Sequence, residues 1–249
     1  SPLRQGLFYG MRSRSKFPLA VCLYSGIVLG CMDKQGGGFV ADKYEWRKRE
    51  KKLYIPKNKP EAVDVPEFKF LTLRGEGSPA DEIFTECIGT LYSLAYAIKM
   101  LPKKMEVKPS GYFDFTVYPL EGLWDINDKA KEHFSGEIKK EDLVYQLMIR
   151  QPDFVDEGLY CEMLDYVKKK KPNPLLNQVE FEAISEGACI QMLHLGKFEN
   201  ESISFDQMEA FAEEEGLTRL SKVHREIYLS DPRKVAPDKL KTVLRFQVG

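Results

Sequence analysis

The sequence predicts an α+β fold built from two β-α-β-β units related by a pseudo-twofold axis. They form a largely antiparallel, concave sheet with helices on one face. Three observations predict it. Runs of alternating apolar and polar residues close at glycines, as strands do. One such run in each half of the chain leads into a segment with helical apolar spacing, and then into two further strand-like runs. The same element order therefore occurs twice, at about 65–150 and 187–248, with a spacer helix at about 154–170 between the units.

In the first unit, Val65–Gly75 alternates Phe68, Phe70 and Thr72 against Lys69, Leu71 and Leu73 and ends at Gly75-Glu76-Gly77. Ser78-Pro79-Ala80-Asp81 has the composition of a helix start, with Ser as N-cap and Pro in the first turn. Ile83, Phe84, Cys87, Ile88, Leu91, Leu94, Ala95 and Ile98 follow on one helical face, down to about Lys99. Two aromatic-rich strands come next: Tyr112–Tyr118, continuing through Pro119–Trp124, and Leu143–Arg150. The spacer helix ends at Pro172 and Pro174.

In the second unit, Ala188–Leu195 is a strand closing at Gly196. A helix capped by Ser202 or Ser204 carries Ile203, Phe205, Met208, Phe211 and Ala212 and stops at Gly216. Strands His224–Leu229 and Leu240–Val248 complete it. Laid over one another, the units bring Y-P-L-E-G-L-W onto H-R-E-I-Y-L. This alignment puts Glu121 and Glu226 in corresponding places near the pseudo-twofold axis, on the concave face away from the helices.

Net charge is −1 with 30% charged residues of both signs interspersed, which gives no basic surface for nucleic acid. The Lys168–Lys171 run ends a helix and reads as a solvated last turn. Five cysteines contain no C-x-x-C pair, and three histidines lack metal-ligand spacing. The thiols are expected to be reduced, with no metal site. No obligate protein partner is evident. Residues 1–42 are set apart from the domain at 43–249. Met11 opens a basic and then apolar run that leads to Cys31, in the manner of a lipoprotein signal. The same residues also read as an extension upstream of Met32, with Asp33–Asp42 as a Gly-rich linker. The extension reading gives a cytoplasmic protein, and the signal reading one anchored through Cys31.

Chemistry concentrates in V-H-R-E-I-Y-L-S-D-P-R, Val223–Arg233. Strand side chains alternate, so His224, Glu226 and Tyr228 share one face and Val223, Arg225, Ile227 and Leu229 the other. Such a polar face is either wet or a lined pocket. Burying Glu226 is costly unless its carboxylate is hydrogen-bonded or has a use. Tyr112, Tyr118, Glu121 and Trp124 are the candidate lining residues, although aromatics also fill cores and Glu121 fits a solvated turn equally well. His224 reads as a base, a donor or a structural histidine. Asp231-Pro232-Arg233 is a turn with a local ion pair. No Walker loop, G-x-S-x-G, dinucleotide-binding glycine string or H-E-x-x-H is present.

K-Y-E-W-R-K-R-E-K-K-L-Y (Lys43–Tyr54), F-K-F-L-T-L-R-G-E-G (Phe68–Gly77), Y-P-L-E-G-L-W (Tyr118–Trp124) and V-H-R-E-I-Y-L-S-D-P-R resemble the GyrI-like small-molecule-binding proteins in their stand-alone form. One departure is Arg225, where the family often has a second His. The resemblance implies the duplicated fold and an aromatic, lipophilic small-molecule ligand. It also implies one of two activities. The first is that of a cyclopropanoid cyclopropyl hydrolase, which opens the spirocyclopropane of genotoxic natural products by adding water and so confers drug resistance. The second is non-catalytic binding of lipophilic, often cationic, aromatics. On the first, Glu226, Tyr228 and His224 are catalytic, Tyr112, Tyr118, Glu121 and Trp124 bind substrate, and no metal or cofactor is needed.

Overall fold

A computed structural model describes residues 43–133 and 138–249. The signal-like run, Cys31 and the linker lie outside these residues. Among the described residues, eight strands form one antiparallel sheet: β1 (Glu61–Val65), β2 (Phe68–Glu76), β3 (Leu120–Ile126), β4 (Leu143–Gln151), β5 (Glu180–Ile184), β6 (Gly187–Leu195), β7 (His224–Tyr228) and β8 (Lys241–Gln247). The helices are α1 (Trp46–Arg49), α2 (Lys51–Tyr54), α3 (Glu82–Met100), α4 (Asp128–Glu132), α5 (Glu157–Lys170) and α6 (Glu201–Glu214).

The strand order is β1-β6-β8-β7-β3-β4-β2-β5. Read from one edge it runs β1-β6-β8-β7, and from the other β5-β2-β4-β3, so each element has its counterpart in the other half. The duplication expected from the sequence is therefore present, and its axis passes between β3 and β7. Each unit also has an extra leading strand. β1 precedes β2 in the chain but pairs with β6, and β5 precedes β6 but pairs with β2. These crossed edges lock the two halves together. Both strands are only five residues long.

The expected strand over Tyr112–Tyr118 is instead an irregular segment whose one β-bridge joins Phe115 to Tyr44. Its aromatics pack on one another, with Phe115 and Phe113 against Phe154. Aromatic density there reflects a core, not a ladder. Regular pairing begins at Leu120, after Pro119, which has no backbone N–H to donate.

α3 and α6 lie on one face of the sheet. α3 buries Phe84, Cys87, Leu91, Leu94 and Ile98 against Leu71, Leu73, Leu147 and Ile149. α6 buries Phe205, Met208 and Ala212 against Ile190, Met192, Leu244 and Phe246. These form two apolar cores, one per unit, and the central strands β3 and β7 run between them. α5 packs outside α3, and its Lys168, Lys169 and Lys170 form the solvated last turn expected of them.

The opposite face is covered by α1, α2 and the residues after them, through a buried ionic network. Arg225 donates to Glu121 at 2.7 Å and lies 2.9 Å from Glu186, which also accepts from Arg245 at 3.0 Å. Arg245 donates to the Leu53 carbonyl at 2.8 Å, and Gln191 to that of Lys52 at 2.6 Å. Arg150 pairs with Glu50, while the hydroxyls of Tyr118 and Tyr44 donate to the same carboxylate. Burial pushes the Glu186 carboxyl up, but Arg225 and Arg245 outweigh it and hold it below its ordinary value.

Glu186→Gln leaves two buried guanidiniums without their shared anion, and it should cost about 3–5 kcal/mol, read as a fall in urea midpoint. Because the folded-state value is depressed, this stabilisation is present above the unfolded carboxylate range and is lost as pH falls through the folded value. Wild-type stability should therefore decline below about pH 4.5, and the variant should lose less over that window.

Candidate functional site

β7 lies at the centre of the sheet and is buried along almost its whole length. Its alternation sends His224, Glu226 and Tyr228 to the face that carries α3 and α6, into the seam between the two apolar cores. There His224 meets Phe205 of α6 edge-on at 4.9 Å, and Trp124 packs on Phe84 of α3 at 5.8 Å.

Glu226 is 2% exposed, yet both of its carboxylate oxygens are engaged. His224 Nε2 lies 3.1 Å from Oε1, and the Tyr228 hydroxyl donates to Oε2 at 3.0 Å. Trp124 Nε1–H in turn donates to the Tyr228 oxygen at 2.8 Å. The chain Trp124–Tyr228–Glu226–His224 is thus continuous. His224 Nδ1 sits 3.4 Å from the Lys222 carbonyl.

Burial first, and then the Glu226 charge, push the Tyr228 phenol well above its ordinary value, which keeps it a donor. Gly122 makes this approach possible. A Cβ there would stand 3.0 Å from Trp124 Nε1 and 3.3 Å from the Tyr228 hydroxyl.

The pairing register corrects the placement of Glu121. Gly122 lies opposite Glu226, and Glu121 lies opposite Ile227. Glu121 therefore faces away from Glu226, into the Arg225 pair, and Tyr54 donates to it at 3.3 Å. The concave face away from the helices is accordingly not where Glu226 lies. Gly122, one residue on from Glu121, stands opposite Glu226, and in a strand one residue changes face.

Tyr118 also belongs to the opposite face, bonded to Glu50 and 4.6 Å from the Arg150 guanidinium. Tyr112 packs edge-on against Phe154 at 5.2 Å and takes no part in the Glu226 chain. Of the candidate lining residues, only Trp124 reaches the cluster. Arg225 fills the ionic network. His194 is tied to Ser204 at 2.9 Å and to the Lys197 carbonyl at 3.0 Å, a structural role. Asp231 and Arg233 form the expected local ion pair.

Two aromatics reach the cluster that the sequence did not single out for it. Phe198 meets Tyr228 edge-on at 6.2 Å, and Phe205 meets His224. Phe205 was legible only as a core residue of its helix, and Phe198 carried no signal at all.

Residues 58–248 match the model of the GyrI-like small molecule binding domain. This chain belongs to the GyrI-like family. It is 40% identical to a conserved protein from Listeria innocua, with a TM-score of 0.75, covering 83% of this chain and 100% of that one. It is 38% and 39% identical to two structures described as hydrolases from the same organism, both at a TM-score of 0.74 and with the same coverage. A comparison with curated proteins found no match. Among the described residues no helix is long and apolar enough to cross a membrane. The matched region of this GyrI-like chain starts after α1 and α2, so the covering of the second face comes from residues ahead of it.

Two outcomes test the cluster. Gly122→Val should push Trp124 and Tyr228 apart, red-shift tryptophan emission and cost about 1–3 kcal/mol by overpacking. An unchanged spectrum and midpoint would contradict the close approach. The raised Tyr228 value gives a second outcome. The folded state keeps this proton where the unfolded chain releases it near pH 10, so stability should fall as pH rises above about 10. Tyr228→Phe should make that fall shallower in denaturant titrations.

Proposed function

We propose that the Glu226 cluster is a hydrolytic site that opens the cyclopropane ring of spirocyclopropane-bearing aromatic natural products by adding water. One observation carries the reading: a buried carboxylate is held by an imidazole and a phenol in the seam between two apolar cores. The likeness to proteins described as hydrolases at 38% and 39% identity supports a hydrolase of some kind.

In this mechanism a water molecule attacks the cyclopropane methylene and Glu226 accepts its proton. The ring C–C bond breaks, and its electron pair flows into the dienone, leaving a phenolate oxygen. As Glu226 becomes protonated it releases the Tyr228 hydroxyl, which turns to donate to that oxygen while the Trp124 N–H supports the phenol oxygen. The phenolate then takes up the proton from Glu226. His224 orients the Glu226 carboxylate. Trp124, Tyr228 and Phe198 provide flat apolar walls for an aromatic substrate. Water balances the reaction, with strain release and aromatisation as the driving force, so no cofactor or metal is invoked. Because Glu226 is 2% exposed, a substrate reaches it only by displacing the side chains that cover it.

A second reading is binding without turnover. It is favoured by the aromatic surroundings of one acid, which suit a lipophilic cation through charge pairing and cation–π contact. Incubation with a spirocyclopropane alkylator, followed by mass spectrometry, separates the two. The hydrolase yields a product carrying one added water, and Glu226→Gln should slow its formation by about 10²–10³-fold. Equal turnover by the variant would sink the base role, and saturable binding without product would leave the sequestering role.

A further inference from the structure

The strap that covers the second face of the sheet, residues 43–59, carries eight basic residues against two acids, in a chain whose net charge is −1. Along the sequence, Glu45 and Glu50 offset part of that charge. In the fold they are already committed. Glu50 turns inward, where it pairs with Arg150 and accepts from the Tyr44 and Tyr118 hydroxyls. Glu45 is matched by Lys48 at 2.8 Å. All eight cations stay exposed.

Helical spacing explains the division. α1 and α2 are consecutive turns that meet at Glu50. Trp46, Glu50, Leu53 and Tyr54 recur at steps of three and four and face the sheet, while Arg47, Lys48, Lys51 and Lys52 lie between them and face out. The Arg47 guanidinium rests 4.4 Å from the Trp46 ring centroid, and Ile55, just past α2, is an exposed apolar side chain.

Nucleic acid and phospholipid are the anionic partners to weigh for such a face. Single strands are held by cations interleaved with exposed aromatics on which bases stack. Here Trp46 and Tyr54 are buried and Tyr44 is bonded to Glu50. A lipid headgroup layer asks only for a row of cations on aliphatic stems. The sequence ahead of the strap points the same way. The basic and then apolar run that leads to Cys31 has no part in the mechanism above, and Cys31 precedes Lys43 by twelve residues.

We propose that the α1–α2 strap docks this protein peripherally on anionic phospholipid. The strap covers the sheet face opposite α3 and α6, so docking turns the Glu226 cluster away from the bilayer and leaves it free. The inference does not rest on what that cluster does.

The test is co-sedimentation of the full chain with vesicles of phosphatidylcholine, alone or with about one third phosphatidylglycerol. The wild type should prefer the anionic vesicles, and about 0.5 M salt should abolish the preference. Replacing Arg47, Lys51 and Lys52 together by Gln should weaken binding to the anionic vesicles about a hundredfold and leave binding to phosphatidylcholine unchanged. The charge-keeping set Arg47→Lys, Lys51→Arg and Lys52→Arg should bind as the wild type does. Equal partition of the wild type between the two vesicles overturns the proposal, and so does a Gln variant that keeps the preference. Loss in the charge-keeping set as well would show a structural role and overturns it too. If duplex DNA at equal phosphate concentration binds the wild type more tightly than the anionic vesicles do, the strap is a nucleic-acid surface and the membrane assignment falls. Should the Gln variant not fold, the wild-type partition and its salt dependence decide.

Discussion

Strand β7 is five residues long and lies at the middle of an eight-stranded sheet, where almost no water reaches it. The charges it carries must therefore find their counterparts within the protein, because a buried charge without partners is costly. Four of its five side chains are polar, and the pleat divides them. His224, Glu226 and Tyr228 go to the helix-covered face, and Arg225 goes to the other. The rest of the molecule answers both sides. Trp124 and Gly122 on β3 complete one, and Glu121, Glu186 and the residues of α2 complete the other.

This division gives the two faces different tasks. Arg225, Arg245 and Arg150 are matched by Glu121, Glu186 and Glu50 in a network whose partners are remote in sequence and fixed in geometry. Such a network contributes little net stability but makes other arrangements costly, and so it pins the register of β3 against β7. That register decides which side chains meet across the seam. A slip of one residue would exchange Gly122 for Glu121 beside Glu226 and close the space that Trp124 and Tyr228 occupy.

Much of this was legible in the sequence where the signal was periodic. The β-α-β-β order, the α3 and α6 faces and the shared face of His224, Glu226 and Tyr228 all follow from spacing within one element. What was not legible depends on pairing between elements. Glu121 reads as the counterpart of Glu226 because the two segments are only loosely similar and the sequence alone does not fix their register. Tyr118 and Tyr112 were placed in the site because aromatic residues signal a lined pocket and a filled core alike. β1 and β5 were missed because each is short and pairs outside its own unit.

The central claim is that Glu226 takes a proton from water and does not itself attack the substrate. A single turnover of a spirocyclopropane substrate in ¹⁸O-labelled water tests it directly. The account predicts that the first-turnover product carries ¹⁸O on the carbon that was the cyclopropane methylene, and that Glu226 stays unlabelled. An unlabelled product, with ¹⁸O recovered in the Glu226 carboxylate, would contradict it and show a covalent ester in place of an activated water.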